Sequence, residues 1–118
     1  MITEWELNLA VDIVLQGDLV FRAKLGTTGP DNDPWLAGKA AVALKHGEPS
    51  LLVRRRHEAL GTPYPEVVVD GVELKAHGGA IPIFVNGAVV GTITMSGEPD
   101  VLDHAASAET LRRYAADE

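Results

Sequence analysis

Two histidines stand beside residues that could support metal binding or acid–base chemistry. His77 precedes Gly78 and Gly79, and glycines there would let the backbone approach a ligand closely, so its imidazole could ligate a metal ion. The alternative is a histidine hydrogen-bonded to fix the loop. His104 follows Asp103 and could be a metal ligand, a general base or a buried histidine with a backbone partner. Adjacent helical side chains diverge by about 100°, and we predict that His104 leans toward the core and Asp103 away from it.

A tryptophan and a lysine form a second candidate pair. Trp35 and Lys39 are four residues apart, so on a helix they share one face. A flat aromatic ring beside a cation could contact a planar ligand and its carboxylate. A core tryptophan with a lysine that reaches out to solvent has the same spacing. The sequence alone leaves both interpretations open.

The composition limits the setting in which these residues act. The chain has 118 residues, 46% of them hydrophobic, as expected of one globular domain. It contains no cysteine, which excludes thiolate metal sites and disulfides, and its first residues lack the pattern of a signal peptide. We therefore expect a cytoplasmic protein. The formal charge of −7 argues against nucleic acid and anionic membranes as partners, and no apolar run approaches a membrane span.

The elements that must position these side chains begin with a hairpin. Apolar and polar residues alternate on both sides of residues 16–18, which is typical of two strands with a buried face. A three-residue loop at 16–18 would match apolar with apolar residues and opposite charges with each other. The cross-strand pairs predicted by this loop are Leu15 with Leu19, Ile13 with Phe21, and Asp12 with Arg22.

A second hairpin surrounds Asn86-Gly87, a favoured type I′ turn. The predicted faces hold Ile81, Ile83, Val85, Val90 and Thr92 on one side, and Phe84, Val89, Ile93 and Met95 on the other. Both faces are largely apolar, so both must be covered. Helices can cover one face, and the other needs more helix or a second subunit. This pattern favours a homo-oligomer.

Helix signals account for most of the remaining chain. The first predicted helix runs from Pro34, behind an Asp33 cap, to about residue 46, with Trp35, Lys39, Val42 and His46 on one stripe. The second is predicted over residues 51–60, capped by Ser50. The third is predicted over about residues 99–115. Its expected apolar stripe comprises Val101, Ala105, Ala108 and Ala115. Residues 61–76 are compatible with a small hairpin or with a loop containing one helical turn.

Three stretches of the chain, in this order, resemble the HbpS-like heme-degrading-domain family. They are residues 26–35 with Lys39 beyond them, residues 76–83, and residues 90–97 with Asp103 and His104 in the following helix. The resemblance implies an α+β fold with an antiparallel sheet of four to five strands flanked by helices, similar to profilin and sensor domains. It also implies dimers that build larger rings.

The same resemblance implies a cofactor and roles for the candidate residues. The cofactor is heme or another tetrapyrrole, which the domain would bind and slowly degrade. His77 or His104 would contact the iron, Trp35 would pack on the macrocycle, and Lys39 would pair with a propionate. Gly78 and Gly79 would line the site.

Among the departures of the chain from the family pattern, two bear on its assembly and its cofactor. Family members begin with a long helix, whereas only residues 1–6 precede the first predicted strand here. Basic residues that usually precede the helix lysine are replaced by Ala37 and Gly38, which removes positive charge available to a propionate.

Two other functions remain open on the sequence. One is a non-catalytic oligomeric module for ligand sensing or scaffolding, favoured by the doubly apolar hairpin. The other is an unrelated small-molecule enzyme in which His77 acts as a base.

Overall fold

The computed structural model describes residues 8–117 and, within them, side chains as far as Arg113. Residues 8–117 fold into an α+β domain, as predicted. The strands are β1 (Ala10–Leu15), β2 (Asp18–Lys24), β3 (Val68–Val69), β4 (Val72–Glu73), β5 (Ala80–Val85) and β6 (Ala88–Ser96). The helices are α1 (Asp33–His46), α2 (Ser50–Leu60) and α3 (Asp100–Asp117), with a short 3-10 turn at Pro30–Asn32.

One antiparallel sheet forms the centre of the domain. Its four strands have the order β2-β1-β6-β5. β3 and β4 form a separate two-stranded sheet around Asp70-Gly71, so the segment left open by the sequence contains the small hairpin. Strand β4 packs against α1, which brings the chain back to the candidate residues of that helix.

Two apolar clusters hold the helices in place. Val11, Ile93 and Met95 on the central sheet pack with Ala106 of α3. Val42 of α1, Val53 of α2 and residues 74 and 76 form the second cluster. Each large apolar side chain that is fully buried stabilises the fold by roughly 1.5–3 kcal/mol. Because α1, α2 and α3 all contact β5, the loop that enters β5 lies among three helices and the sheet.

The first hairpin has the predicted pairing over only part of its length. Ile13 pairs with Phe21 and Asp12 with Arg22, as predicted, but Leu15 pairs with Asp18. The register shifts after Ile13, and the turn has two residues, Gln16 (φ 51°) and Gly17 (φ 83°). The predicted three-residue loop and the pairing of Leu15 with Leu19 are wrong because a bulge takes up the extra residue.

The second hairpin turns at Asn86 (φ 52°) and Gly87 (φ 80°), as predicted. The predicted faces are wrong, because Ile81 pairs with Ile93 and Thr92 pairs with Pro82. A register shift after Ile83 reverses the alternation toward the turn. The buried Thr92 and Thr94 therefore share a face of the sheet with Ala80 rather than with Ile81.

Helices α1 and α2 end as predicted, at Gly47 and Gly61, both in the left-handed conformation. Their first residues differ from the prediction. Helix α1 includes Asp33, and Ser50 is the first residue of α2 rather than its cap. The Ser50 hydroxyl instead accepts a hydrogen bond from the Ala80 amide (3.1 Å) and donates to its carbonyl (3.4 Å).

The predicted buried stripe of α3 is rotated from the one that the structure shows. Val101 is 48% exposed, whereas Asp103, Ala106 and Ser107 are buried. The side chain of Ala115 lies outside the described part of the chain. So do residues 1–6, on which the comparison with the family's N-terminal helix depends. Among residues 8–117, no helix has the length and apolar character needed to cross a membrane.

Candidate functional site

The loop carrying His77 enters β5 through two glycines that the packing requires. A side chain at Gly78 would lie 2.3 Å from the Asp100 carbonyl oxygen, and one at Gly79 would lie 2.3 Å from the Met95 carbonyl oxygen. Gly79 also has a φ of +140°, which other residues rarely adopt. The glycines therefore bring the His77 loop against α3 and the sheet.

Asp100 fixes this loop to two helices. Its carboxylate accepts a hydrogen bond from the Gly78 amide (3.1 Å) and pairs with the Arg54 guanidinium of α2. The Arg54 and Gly78 bonds hold the pKa of Asp100 below its usual value, although burial opposes them. An ionised Asp100 at neutral pH therefore holds the residue next to His77 in place.

His77 presents an imidazole that is exposed and makes no side-chain hydrogen bond to any described residue. Loss of surrounding water lowers its pKa from the ordinary 6.5, and this effect outweighs the Asp100 carboxylate, which raises it. The ring is therefore neutral at pH 7 and keeps a lone pair that can ligate a metal. The sequence left open whether this histidine fixes the loop, and the described contacts give that task to Asp100.

Trp35 is contacted by two neighbours from the same loop. The His77 ring meets it edge-on, with ring centroids 5.3 Å apart. The Lys75 ammonium lies 4.4 Å from the centroid of the Trp35 ring, within the range of a cation–π contact. Trp35 itself is 40% exposed, so it forms part of the surface of the site rather than of the core.

Two clefts meet at these residues. The larger, of about 520 Å³, is lined by parts of α2, the loop that follows it and the segment 73–77. The smaller, of about 360 Å³, lies toward Ser96 and the start of α3. Trp35, Arg54 and His77 line both. A volume of 520 Å³ falls within the range of small-molecule sites.

The outer wall of the larger cleft is the loop 61–66, and Tyr64 anchors it. The Tyr64 hydroxyl is 3.0 Å from Nε2 of His46 in α1. Its ring lies edge-on to His57 of α2, with centroids 5.1 Å apart, and it packs on the second apolar cluster. The anchor gives a loop without regular secondary structure a defined position.

Lys39 is buried and already paired. Its ammonium donates to an Asp103 carboxylate oxygen (2.9 Å) and to the Met95 carbonyl (3.1 Å). Lys39 is only 2% exposed and Asp103 only 1%. The predicted outward lean of Asp103 is therefore wrong, because its ion pair with Lys39 draws it into the core. Burial raises the pKa of Asp103, although Lys39 acts in the opposite direction. Lys39 borders the smaller cleft and not the larger one.

His104 lies behind the glycine loop, and neither cleft includes it. Its Cβ would be 3.3 Å from a side chain at Gly78. Burial lowers its pKa, and Nδ1 has no hydrogen-bond partner among the described residues. The structure thus separates the two candidate histidines. Within residues 8–117, no three His, Asp or Glu side chains are grouped to hold a metal ion.

Several residues of the larger cleft were not anticipated from the sequence. Arg54, Tyr64 and Lys75 line it, and they come from three separate segments without any local motif. The one available sequence signal is Gly38. A side chain there would lie 2.5 Å from the Glu73 carbonyl oxygen and 2.7 Å from Cγ of Lys75, so its glycine reports the close approach of that segment.

The fold and the site together define a class of protein. Its members are α+β domains in which helices pack on an antiparallel sheet, and a loop with a histidine followed by two glycines leads into that sheet. The model of the family described as haem degrading protein HbpS-like matches residues 1–112. The chain therefore belongs to the HbpS-like family, which confirms the resemblance seen in its three motifs.

Relatives and solved structures agree with this assignment. The UPF0303 protein SCO2848 of Streptomyces coelicolor is 42% identical, over 94% of this chain and 72% of that protein. A UPF0303 protein of Streptomyces avermitilis is 44% identical, over 90% of this chain and 66% of that protein.

Two solved structures share the fold. The crystal structure of Ybr137w protein has a TM-score of 0.78 and 29% identity, over 99% of this chain and 72% of that one. The PduOC:heme complex has a TM-score of 0.64 and 16% identity, over 91% of this chain and 78% of that one. At 16% identity, the second likeness concerns the fold alone.

Proposed function

We propose that the larger cleft binds heme or a related tetrapyrrole, and that the His77 imidazole would ligate its iron. The observation that carries this proposal is the His77 imidazole: exposed, held neutral, and without a side-chain hydrogen bond to any described residue. A neutral imidazole is an effective axial ligand for heme iron. The match to a family described as haem degrading protein HbpS-like supports the choice of ligand.

The residues around His77 fit a large planar ligand. Trp35, Tyr64 and the prolines at 63 and 65 supply the aromatic and apolar part of the cleft lining, which a ligand site of this size needs. The rest of the lining is largely polar or charged, including Arg54, Lys75 and three glutamates. Heme supplies its own four ring nitrogens, so one protein imidazole suffices to hold the iron. Residues 73–77 and α2 line the cleft and would shield a bound ligand from water.

The predicted roles of the other candidates change with the geometry. In this proposal Trp35 borders the macrocycle, and Gly78 and Gly79 position His77 without touching the ligand. His104 lies outside the cleft, and Lys39 is committed to Asp103. Neither is part of the proposed site.

Titration with haemin, followed by the Soret band, tests the proposal. We expect saturation at one heme per chain in the wild type, loss of the shifted band in His77→Ala, and retention of it in His104→Ala. His104 is the matched control because it is a histidine of the same neighbourhood that lines neither cleft. A rise that never saturates, and is equal in all three proteins, would rule the proposal out.

The family resemblance further predicts that the bound heme is slowly degraded. Degradation would be measured as loss of the Soret band of the loaded protein in air with ascorbate, compared with free haemin. Breakdown no faster than that of free haemin would leave the protein a heme-binding domain.

An oligomeric scaffold is a second candidate function, favoured by a separate observation. Both hairpins turn at the same end of the sheet, where the Gln16 amide bonds the Val90 carbonyl at 2.7 Å. Large apolar side chains at this end are about half exposed: Leu15, Leu19, Val20, Phe21, Phe84 and Val85. Large apolar side chains left exposed at one end of a sheet are typical of protein interfaces. Sedimentation at micromolar concentration tests it, and a single monomeric species would exclude this function.

A further inference from the structure

Among the described residues, the larger cleft contains one cation that is available to a ligand. Its lining includes Arg54 and Lys75 as permanent positive charges, and Glu58, Glu66 and Glu73 as carboxylates. Arg54 pairs with Asp100 and with Glu58 (3.5 Å). Among the described side chains, the one acidic partner of Lys75 is Glu73, whose carboxylate oxygen is 3.8 Å from the ammonium, beyond hydrogen-bond distance. The Lys75 ammonium therefore keeps its donors for another partner.

The position of this ammonium is fixed from two directions. The Lys75 amide donates to the Gly38 carbonyl of α1 (3.1 Å), and the absence of a side chain at Gly38 lets the segment approach. Beyond the backbone, the ammonium rests over the Trp35 ring, and the side chain is only 17% exposed. A cation held in place and partly removed from water interacts more strongly with an anion than a mobile surface lysine does.

The charge lies beside the proposed iron ligand. Lys75 and His77 both contact Trp35, and the His77 amide donates to the Lys75 carbonyl (2.9 Å). A flat ligand bound to His77 and extending into the larger cleft would therefore bring its edge substituents toward the Lys75 ammonium. The charge of Arg54 is already balanced by Asp100, which holds the His77 loop, and by Glu58.

We infer that Lys75, and not Lys39, recognises a carboxylate of the bound ligand, so that the cleft selects planar ligands that carry ionised carboxylates. This inference rests on the proposed function. In it, Trp35 is a positioning residue whose ring holds the Lys75 ammonium toward the cleft. The ligand's carboxylate replaces the distant Glu73 as the partner of that ammonium.

The test compares haemin with haemin dimethyl ester, in which both propionates are uncharged. Binding of each would be measured by Soret titration in one detergent buffer with the wild type, Lys75→Gln, Lys75→Arg and Lys45→Gln. Lys45 is the matched control, because it is an exposed lysine of α1 that lines neither cleft. The wild-type comparison needs no variant, so equal binding of haemin and ester overturns the inference even if Lys75→Gln does not fold, and Lys75→Arg then serves to assign a preference to Lys75.

We expect the wild type to bind haemin about tenfold more tightly than the ester, as one charge-assisted hydrogen bond allows. Lys75→Gln should bind both ligands like the wild type binds the ester, and Lys75→Arg should restore most of the preference. Lys45→Gln should match the wild type. Equal binding of haemin and ester, with saturation and with Lys75→Gln unchanged, would overturn the role of Lys75 and leave the heme site standing. Absence of saturable binding would overturn both.

Discussion

The buried ion pair between α1 and α3 gives the sharpest stability prediction. In Lys39→Met, the Asp103 carboxylate would lose the ammonium 2.9 Å away and remain buried at 1% exposure. Breaking a buried pair by removing one partner costs about 3–5 kcal/mol. That is a large part of the 5–15 kcal/mol by which domains are typically stable. For a chain of 118 residues it corresponds to a fall in Tm of roughly 12–20 °C.

The loss in Lys39→Met should depend on pH in a defined direction. Burial raises the pKa of Asp103, and Lys39 now opposes that rise, so removing Lys39 raises it further. A carboxyl whose folded pKa is raised favours the fold when protonated. The deficit should therefore be largest at neutral pH and shrink as the pH falls through the raised pKa toward the ordinary value of 3.8.

Urea unfolding followed by circular dichroism measures this effect at pH 7.5 and pH 5. Lys39→Met/Asp103→Asn is the informative partner variant, because it removes both charges while the amide oxygen can still accept from the Glu98 amide, now 3.0 Å from Asp103. It should recover most of the lost stability. A Lys39→Met deficit below about 1 kcal/mol, or one that is the same at both pH values, would refute the account of a buried pair.

Three further predictions concern other parts of the fold. Ser50→Ala should lower the free energy of unfolding by about 1–3 kcal/mol, because it leaves the buried Ala80 amide without its 3.1 Å partner; chemical denaturation measures it, with the exposed Thr62→Ala as control. Gln16→Asn should raise the urea midpoint slightly, since asparagine tolerates the φ of 51° better, and an unchanged or lower midpoint would contradict the turn assignment. The pKa of His104 is lowered by burial, so the unfolded chain takes up its proton first. Stability should then fall as pH decreases through the ordinary 6.5, as seen in unfolding midpoints at pH 7.5 and 5.5. His104→Gln should weaken that dependence without removing it, because burial also lowers the pKa values of His46 and His77.

Local signals made much of the fold predictable. Asn86-Gly87 specifies a type I′ turn by its own backbone preferences, and Gly47 and Gly61 end their helices for the same reason. The first turn was mispredicted because Gln16 is not a residue that usually signals the left-handed conformation. Register shifts after Ile13 and Ile83 leave no mark in a period-two pattern, so the residues beyond them were assigned to the wrong face.

The site was predictable only where one segment supplies it. His77 with its glycines was recognised, because the loop is continuous in sequence. The environment of Lys39 was not predicted, because its partner Asp103 is 64 residues away in sequence. From the sequence alone, each member of such an ion pair is expected to be exposed to solvent. The same holds for Lys75, which gains its position from Trp35 and Gly38 on a different element.

The central claim is that haemin occupies the cleft beside His77 rather than the apolar end of the sheet. Titration of ¹⁵N-labelled protein with haemin, followed by paramagnetic broadening of amide signals, tests it directly. If haemin binds beside His77, we expect early broadening of the amide signals of Trp35, Tyr64 and Ala76, which line the cleft. The signals of Phe21 and Phe84, at the end of the sheet where both hairpins turn, should stay sharp. Broadening confined to Phe21 and Phe84 would place haemin on exposed apolar surface and contradict the account.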